Sequence, residues 1–453
     1  RDRVKSVRST IQTSYIGYIT RILEVTAKPM TIAMEPSATN VEEVVVVGYG
    51  VQKKQSVVGA ISSATSEDLK QMGSPNLSTA LAGKVAGVTF TVPSGRPGSD
   101  DAEIYVRGVA TMSGDSAPLV LVDGVERDYS QVDPEDVAQL SVLKDASATA
   151  VYGVRGANGV IIITTKKAKE GQTRVNINGS FGFKRVTDKI AMVDAAEFKE
   201  LYNEQLRNEG NPEFDFTPWT GNTDWQDEIF QTGFITNNNV SITGASARHS
   251  FYLGAGYAYE QGNIKHEKYS KVTLNISNDY KVTDNFKVGF QFNGARILPA
   301  DTKSVATALR AAPVAPVYNA EYGLYTTLPG FQKAQMNNPM VDVDLKANTT
   351  RAENYRASGN VYGQWDFLKN FQFKVMYSMD YASNSSRTYT PVINVFDSSV
   401  EGNVVTLGNG KTGVKQSKET EAKVQSDYLL TYTNTWGDHS LTATAGFTTY
   451  YNK

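Results

Sequence analysis

From residue 173 to the end of the chain, apolar and polar side chains alternate along strand-length segments. Such alternation is typical of β-strands that present one apolar and one polar face. In one segment the apolar face carries Phe286, Val288, Phe290 and Phe292, and the polar face carries Lys287, Gly289, Gln291 and Asn293. The pattern predicts nine strands, at residues 173–186, 235–245, 248–260, 269–281, 285–297, 351–367, 370–383, 420–436 and 438–450.

The connections between these strands are of two kinds. Tight turns near residues 246, 283–285, 369 and 437–438 alternate with longer connections at 187–234, 261–268, 298–350 and 384–419. Short turns at one end and long loops at the other are typical of outer-membrane barrels. A soluble β-sandwich also alternates, but strands of about 11 residues exceed the usual length of about 5–6 in soluble sheets. The pattern therefore favours an all-β transmembrane antiparallel barrel over residues 173–453.

The part of the chain before this region mixes strand and helix patterns. Residues 15–19 and 30–34 read as two short strands of a small β-domain that ends near residue 36. Strands are predicted at 44–47, 103–107, 119–122, 141–143 and 159–165, with a turn at Asp123-Gly124. Helices are predicted over 77–85, over 134–140 behind Asp133, and over 146–152. Residues 41–169 thus form a compact α/β domain.

Composition excludes several classes of function. The net charge is −2 with mixed signs, which argues against a nucleic-acid partner. There is no Cys, and His249, His266 and His439 are each isolated, so we expect no metal site, catalytic residue or cofactor. No run of about 18 apolar residues occurs, and the first ten residues lack the apolar core of a signal peptide.

The stretch VEEVVVVGYG at residues 41–50 has three interpretations. Its two glycines suggest a dinucleotide-binding loop, but the third glycine of that fingerprint is replaced by Lys53. A short β-branched segment between two domains also suits strand addition to the sheet edge of a partner protein. Taken alone, the stretch fits an ordinary buried strand better than either.

Several motifs together resemble the SusC/RagA-type TonB-dependent outer-membrane transporters of Bacteroidetes. They are VEEVVVVGYG at 41–50, LSTALAGKVAG at 77–87, IYVRG at 104–108, PLVLVDG at 118–124, VLKDASATAVYGVRGANGVIIITTKK at 142–167 and TDWQD at 223–227. The block at 142–167 is the longest of these, and the resemblance extends over nearly the whole chain.

The resemblance implies a division of the chain and a set of site residues. Residues 1–36 would be the remnant of a carboxypeptidase-regulatory-like β-domain, 41–50 the TonB box and linker, 51–170 the plug domain, and 173–453 the N-terminal part of the barrel. Coupling to TonB would use Val41, Glu42, Glu43, Val44, Val45, Val46 and Val47. The plug family motif would comprise Arg107, Gly108, Asp123, Gly124, Lys144, Asp145, Tyr152, Gly153, Arg155, Gly156 and Gly159.

The implied function is TonB-dependent import of a glycan, oligosaccharide or peptide across the outer membrane, together with a SusD-like surface lipoprotein. Alternatives are a signalling receptor of the same barrel class and a soluble β-rich glycan-binding or adhesion protein. Barrels of this class have about 22 strands, so nine strands lead us to expect a fragment or one piece of a split transporter. Trp219 and Trp225, in the first long connection, suit either sugar stacking or packing among themselves.

Overall fold

The structure is a computed structural model of the chain. It describes residues 132–167, 171–301, 305–437 and 439–453 without a break. Ahead of these it describes residues 10–13, 21–24, 44–47, 50–53, 61–65, 68, 77, 81, 83–91, 94–98, 103–108 and 116–130. The strands predicted at 15–19 and 30–34 lie outside the described residues.

Among the residues that the structure describes, eleven short strands precede the long ones. They are β1 Thr10–Thr13, β2 Arg21–Glu24, β3 Val44–Val47, β4 Gly50–Lys53, β5 Ile61–Thr65, β6 Val88–Thr91, β7 Glu103–Val106, β8 Leu119–Val122, β9 Val125–Glu126, β10 Val137–Leu143 and β11 Val160–Thr165. Five of them form one sheet in the order β5-β10-β11-β8-β9, in which β11 and β8 run parallel. We refer to the described part of residues 61–167 as the inner domain.

The inner domain has apolar packing on both faces of its central strands. Ile161 and Ile163 of β11 face a core that includes Leu77 and Leu81, which lie one helical turn apart. On the opposite face, Ile162 packs with Tyr152. Burial on both faces explains why β11 reads as a continuous apolar run and not as an alternating one.

Two of the predicted helices differ from the structure. The helix expected over residues 134–140 is a single 3-10 turn, Pro134–Asp136, whose Asp133 carboxylate accepts a hydrogen bond from the Glu135 amide at 2.9 Å. The chain then continues as β10, because pairing with both β5 and β11 satisfies its backbone. The helix expected over 146–152 is α1, Ala146–Thr149, followed by a 3-10 segment, Ala150–Gly156, that is broken at Gly153.

The remaining strands build one large antiparallel sheet, which we call the wall. Its nine strands are β12 Gly171–Lys184, β13 Gly233–Ala245, β14 His249–Gln261, β15 Lys268–Thr283, β16 Phe286–Leu298, β19 Thr350–Phe367, β20 Phe371–Thr390, β23 Gly413–Trp436 and β24 His439–Asn452. Each pairs with its neighbour in chain order, and among the described residues β12 and β24 pair on one side only. The nine predicted strands and the antiparallel fold class are confirmed, and the wall is an open sheet.

The smaller elements lie in the long connections. They are α2 Ala195–Asn208, α3 Trp225–Ile229, α4 Val305–Arg310, the π-helix Val341–Leu345, and the two-stranded hairpins of β17 Tyr318–Asn319 with β18 Leu324–Tyr325 and of β21 Asn394–Phe396 with β22 Val404–Thr406. The loop expected at 384–419 is mostly strand, because the pairing of β20 with β23 continues out to Thr390 and Gly413.

The wall differs from a sheet of a soluble protein, because its apolar side chains are exposed on one face and its polar side chains are buried on the other. Val361 and Tyr377 point outward and keep 56% and 51% of their surface exposed. Ser378 and Asp380 point inward and are 0% and 1% exposed. An exposed apolar face over many long strands matches a wall whose outer surface contacts lipid.

A separate apolar cluster joins the connections at 187–234, 261–268 and 298–350. Trp219 and Trp225 are both buried in it, and the indole nitrogen of Trp225 donates to the Ala312 carbonyl at 3.1 Å. The two tryptophans therefore pack inside this cluster, which decides between the two interpretations in favour of packing.

None of the helices in the described part of the chain is both long and apolar enough to cross a membrane.

Candidate functional site: the seam between the inner domain and the wall

The inner domain lies against the inward face of the wall, and we call this contact the seam. At one point the tip of the β8–β9 hairpin touches the wall. Asn360 on β19 donates from Nδ2 to the Asp123 carbonyl at 3.4 Å. A side chain on Gly124 would lie 3.3 Å from Cε of Met376 on β20. The tip thus approaches the wall closely because it carries no side chain there.

The conformation of this tip follows from its Asp-Gly sequence. Asp123 and Gly124 have φ angles of 53° and 85°, a left-handed pair that these two residue types tolerate. The Asp123 carboxylate accepts from both the amide and the hydroxyl of Thr165, each at 2.9 Å. These bonds fix the hairpin against the end of β11.

A buried ionic network forms the centre of the seam. On the wall, two nitrogens of Arg356 donate hydrogen bonds to the carboxylate of Asp380, and Nε lies 2.8 Å from Oδ1. A third nitrogen of Arg356 lies 3.8 Å from Asp128 of the inner domain. Beside it, Arg127 of the inner domain donates to the Ser358 hydroxyl on the wall. Four of these residues are at most 8% exposed: Arg127, Arg356, Ser358 and Asp380.

Sequence reasoning missed this network. Arg127 and Ser358 are separated by 231 residues, so no local pattern links them. Burial lowers the pKa of Arg127 to about 10, although Asp123 and Asp380 oppose the shift. Arg127 remains a cation at neutral pH and brings a positive charge into the seam.

A second set of contacts holds two carboxylates of the inner domain against β13 and β14. Asp136 accepts from the hydroxyl of Tyr252, and Asp133 accepts from Asn239 Nδ2 at 3.2 Å. A side chain at Gly256 would fall 2.3 Å from Oδ2 of Asp133, and one at Gly254 would fall 2.7 Å from Oδ1 of Asp136. The two glycines therefore allow the carboxylates to reach the backbone of the wall.

The Asp136 carboxylate makes the stability of this contact dependent on pH. Burial, helped by the Asp133 carboxylate, raises the pKa of Asp136 to about 6 from its ordinary value of 3.8. Because the folded pKa is the higher one, the contribution to stability is fully present below about pH 4 and is lost as the pH rises through about 6. We expect the free energy of unfolding of the wild type, relative to Asp136→Asn, to fall over that range. Chemical unfolding at several pH values measures it, and Asp284→Asn, in an exposed turn, should follow the wild type.

Other residues of the predicted motif hold the inner domain together. Arg107 Nη2 lies 2.7 Å from Oδ1 of Asp145. Lys144 donates from Nζ to the Ser62 hydroxyl at 2.6 Å and to the Ala86 carbonyl at 2.9 Å. These contacts tie β5, β7 and the start of α1 into one unit.

The last part of the motif reaches the final strand of the wall. Arg155 pairs with Glu126 at 2.7 Å, and its guanidinium lies 4.9 Å from the ring centroid of Tyr450 on β24. Tyr152 is buried in the inner domain.

The glycines of the motif serve the backbone. Gly108, Gly153 and Gly159 have φ angles of 94°, 60° and 95°. A side chain on Gly159 would also meet Val106 at 3.0 Å, and one on Gly156 would meet the Thr149 carbonyl at 3.0 Å. These residues are therefore required by conformation or close approach and carry no chemistry of their own.

Among the described residues, no group of three or more His, Cys, Asp or Glu side chains could hold a metal ion. The polar contacts described above join the two surfaces of the seam by hydrogen bonds and ion pairs.

Comparisons with known proteins give the family. The sequence model of the TonB-dependent Receptor Plug Domain matches residues 53–160. TonB-dependent receptor P3 of Formosa agariphila is 28% identical over 98% of this chain and 43% of its own length. TonB-dependent receptor SusC of Bacteroides thetaiotaomicron is 30% identical over 83% of this chain and 40% of its own length. The chain belongs to the SusC/RagA-type TonB-dependent receptors.

The fold of this SusC/RagA-type receptor agrees with a solved structure. The RagAB peptide importer in its open-open state superposes with a TM-score of 0.74 at 22% identity, over 90% of this chain and 48% of that one. The chain spans less than half the length of the relatives it matches. Family membership places it in the outer membrane of a Gram-negative, Bacteroidetes-type bacterium.

The coupling segment expected in this receptor is described only in part. The backbone of Val44–Val47 forms β3, which pairs antiparallel with β4, Gly50–Lys53. Val41, Glu42 and Glu43 lie outside the described residues. Residues 44–47 therefore have a strand conformation, and the role of the segment in coupling stays a prediction.

Proposed function

We propose that this chain provides the coupling segment, the plug and part of the barrel of a TonB-dependent importer of a glycan, oligosaccharide or peptide. The inner domain is the plug, residues 41–47 are the TonB box, and a SusD-like surface lipoprotein captures the nutrient outside. The domain bounds are those expected from the sequence: 1–36, 41–50, 51–170 and 173–453.

One observation carries the proposal: the wall is apolar outside and polar inside, and its polar side is filled by a separately folded domain. The inner domain has its own apolar core, whereas many of its contacts with the wall are hydrogen bonds and ion pairs. A polar contact can be rehydrated when the two surfaces separate, while an apolar core cannot without a large cost. The inner domain is thus built to shift as a unit.

The seam also has room and polarity for water. A void of about 10 Å³ lies between the two surfaces and is lined by Asp133, Asp136, Thr273 and Asn275, among others. The Thr273 hydroxyl and both amide atoms of Asn275 are buried without a protein hydrogen-bond partner among the described residues. A void of this size and polarity suits a single bridging water. Bridged contacts of this kind would ease displacement of the plug.

The outer membrane has no ATP, so energy for import must arrive as a mechanical pull. An extended segment ahead of the plug suits that purpose, because a partner strand can pair with it along its whole length. The proposed substrate class rests on the names of similar proteins. One relative is called SusC, and one similar solved structure is the RagAB peptide importer.

Uptake measurements in the producing bacterium test the proposal. Deleting the gene should abolish uptake of one class of labelled oligosaccharide or peptide, because the proposed importer is the path by which that nutrient crosses the outer membrane. An uncoupler that collapses the inner-membrane proton gradient should stop uptake in the wild type and leave surface binding intact. Uptake that continues at its full rate after uncoupling would contradict energised import.

A further inference from the structure

A second and larger cavity lies in the seam, near the end of the wall that carries the short turns. Its volume is about 330 Å³. Lys287, which lines it, is two residues from the turn at 283–285, and Gln364 and Lys374 lie beside it in the register of β19 and β20. The void described above and the long connections lie further from this end. The cavity is therefore a separate compartment of the seam.

Positive groups converge on this cavity. Lys167 of the inner domain and Lys287 and Lys374 of the wall all line it. The ammonium groups of Lys374 and Lys287 lie 4.8 Å and 5.7 Å from the ring centroid of Tyr362. Two like charges beside one ring repel each other, and an anion between them would relieve that repulsion.

The nearby carboxylates are already engaged. Asp279 accepts from the Tyr362 hydroxyl at 2.5 Å and from Lys287 at 3.0 Å. Asp427 accepts from the Gln425 amide at 2.9 Å and from Thr448 at 2.7 Å. Lys287 therefore has an acidic partner.

Within the described part of the chain, neither Lys374 nor Lys167 forms an ion pair or a side-chain hydrogen bond.

A buried amide adds a further donor to the same cavity. Gln291 is 6% exposed, and its Nε2 has no hydrogen-bond partner among the described residues. Buried donors of this kind are normally satisfied, so an acceptor is expected between them.

The rest of the lining is mixed. Its apolar part comes from Leu121, Tyr152 and Ile162 of the inner domain and from Met376 and Leu429 of the wall, and its further polar members are Asp123, Arg155, Thr164, Asn360, Gln364 and Gln425. A volume of this size with convergent polar groups beside an apolar patch is typical of a small-molecule site. An organic anion with an apolar group fits both the positive part and the apolar part of this lining, whereas a bare inorganic ion fits only the positive part. The cavity opens on the inward side of these strands and not on their exposed apolar side, so membrane lipid is not the expected source of the anion.

We propose that this cavity binds an organic carboxylate, whose charged end lies between Lys374, Lys167 and Gln291 and whose apolar end packs on Leu121 and Met376. A carboxylate is planar and accepts several hydrogen bonds at once, as the three donors require. The site does not depend on transport, so its test is independent of the proposed import.

Equilibrium dialysis of the purified protein in detergent tests the site with labelled N-acetyl-leucine as the probe. We expect saturable binding of one molecule per chain. N-acetyl-leucinamide, which differs only in lacking the charge, should not compete. Lys374→Met should weaken binding roughly tenfold or more, because it removes a charge-assisted hydrogen bond but keeps the length of the side chain.

Two controls keep the result interpretable. Lys411→Met removes an equal charge from an exposed loop and should leave binding unchanged. Lys374→Arg restores the charge and should restore most of the affinity, which separates a direct contact from a folding defect. Equal binding of the neutral amide, absence of saturable binding to the wild type, or tighter binding of inorganic phosphate than of N-acetyl-leucine would each overturn the proposal.

Discussion

Deleting residues 41–47 is expected to abolish nutrient uptake while leaving the protein folded and inserted in the outer membrane. The reason is that these residues lie ahead of the inner domain in the chain and are the segment on which we propose that TonB pulls. In the structure, β3 pairs with β4 in a hairpin of four residue pairs. Loss of so short a hairpin should lower the free energy of unfolding only slightly. Loss of residues 41–47 removes the segment through which we propose that TonB pulls on the plug.

A point substitution gives a sharper version of the same test. Val45→Pro removes a backbone donor and prevents Val45 from pairing as a strand, so we expect uptake to fall by at least about tenfold. Val45→Ile keeps the strand conformation and should import normally. Uptake is measured with labelled nutrient, and membrane insertion is measured by surface labelling of the same cells. Loss of folded protein in the deletion variant would instead support a buried structural strand.

Arg356→Met is expected to give the largest loss of stability among single substitutions in the seam. The change leaves the carboxylate of Asp380 buried without its partner, and removing one member of a buried ion pair typically costs about 3–5 kcal/mol. Guanidinium unfolding of the purified protein in detergent, followed by tryptophan fluorescence, measures the change in the free energy of unfolding. The same loss should loosen the seam, since Arg356 also faces Asp128 of the inner domain.

Two further variants show whether the buried pair is the cause. The double variant Arg356→Met, Asp380→Leu removes both charges and should recover most of the lost stability. Arg296→Met breaks the exposed pair with Glu353 on neighbouring strands and should have no measurable effect. Equal losses for Arg296→Met and Arg356→Met would contradict a special role for the buried network.

The strands of the wall were predictable because each strand lies between two different environments. Phe373 and Tyr377 face outward, and Ser378 and Asp380 face inward, so hydrophobicity follows position along this part of β20. The prediction was wrong at residues 384–419. There β20 and β23 extend beyond the apolar outer face of the wall, and the side chains on both faces of these strands are polar or exposed. A strand surrounded by water on both sides has no alternation to reveal it.

The inner domain shows a different limit. The Asp123-Gly124 turn was predictable, because its left-handed backbone depends on those two residues alone. The helix predicted behind Asp133 was wrong beyond its first turn, because strand pairing on both sides of β10 overrode local preference. Arg127, Arg356 and Asp380 could not be identified, since only the folded chain brings them together.

The most direct test of the account is the alternation of environments along one wall strand. The natural chain has no cysteine, so single cysteines can be introduced and spin-labelled without background. In a bilayer, a label at Tyr377→Cys should collide frequently with oxygen, which concentrates in lipid, and rarely with a water-soluble nickel complex. A label at Ser378→Cys should be shielded from both, because the inner domain covers that face. High nickel accessibility at position 377, or equal accessibility at both positions, would contradict a lipid-facing wall closed by an inner plug.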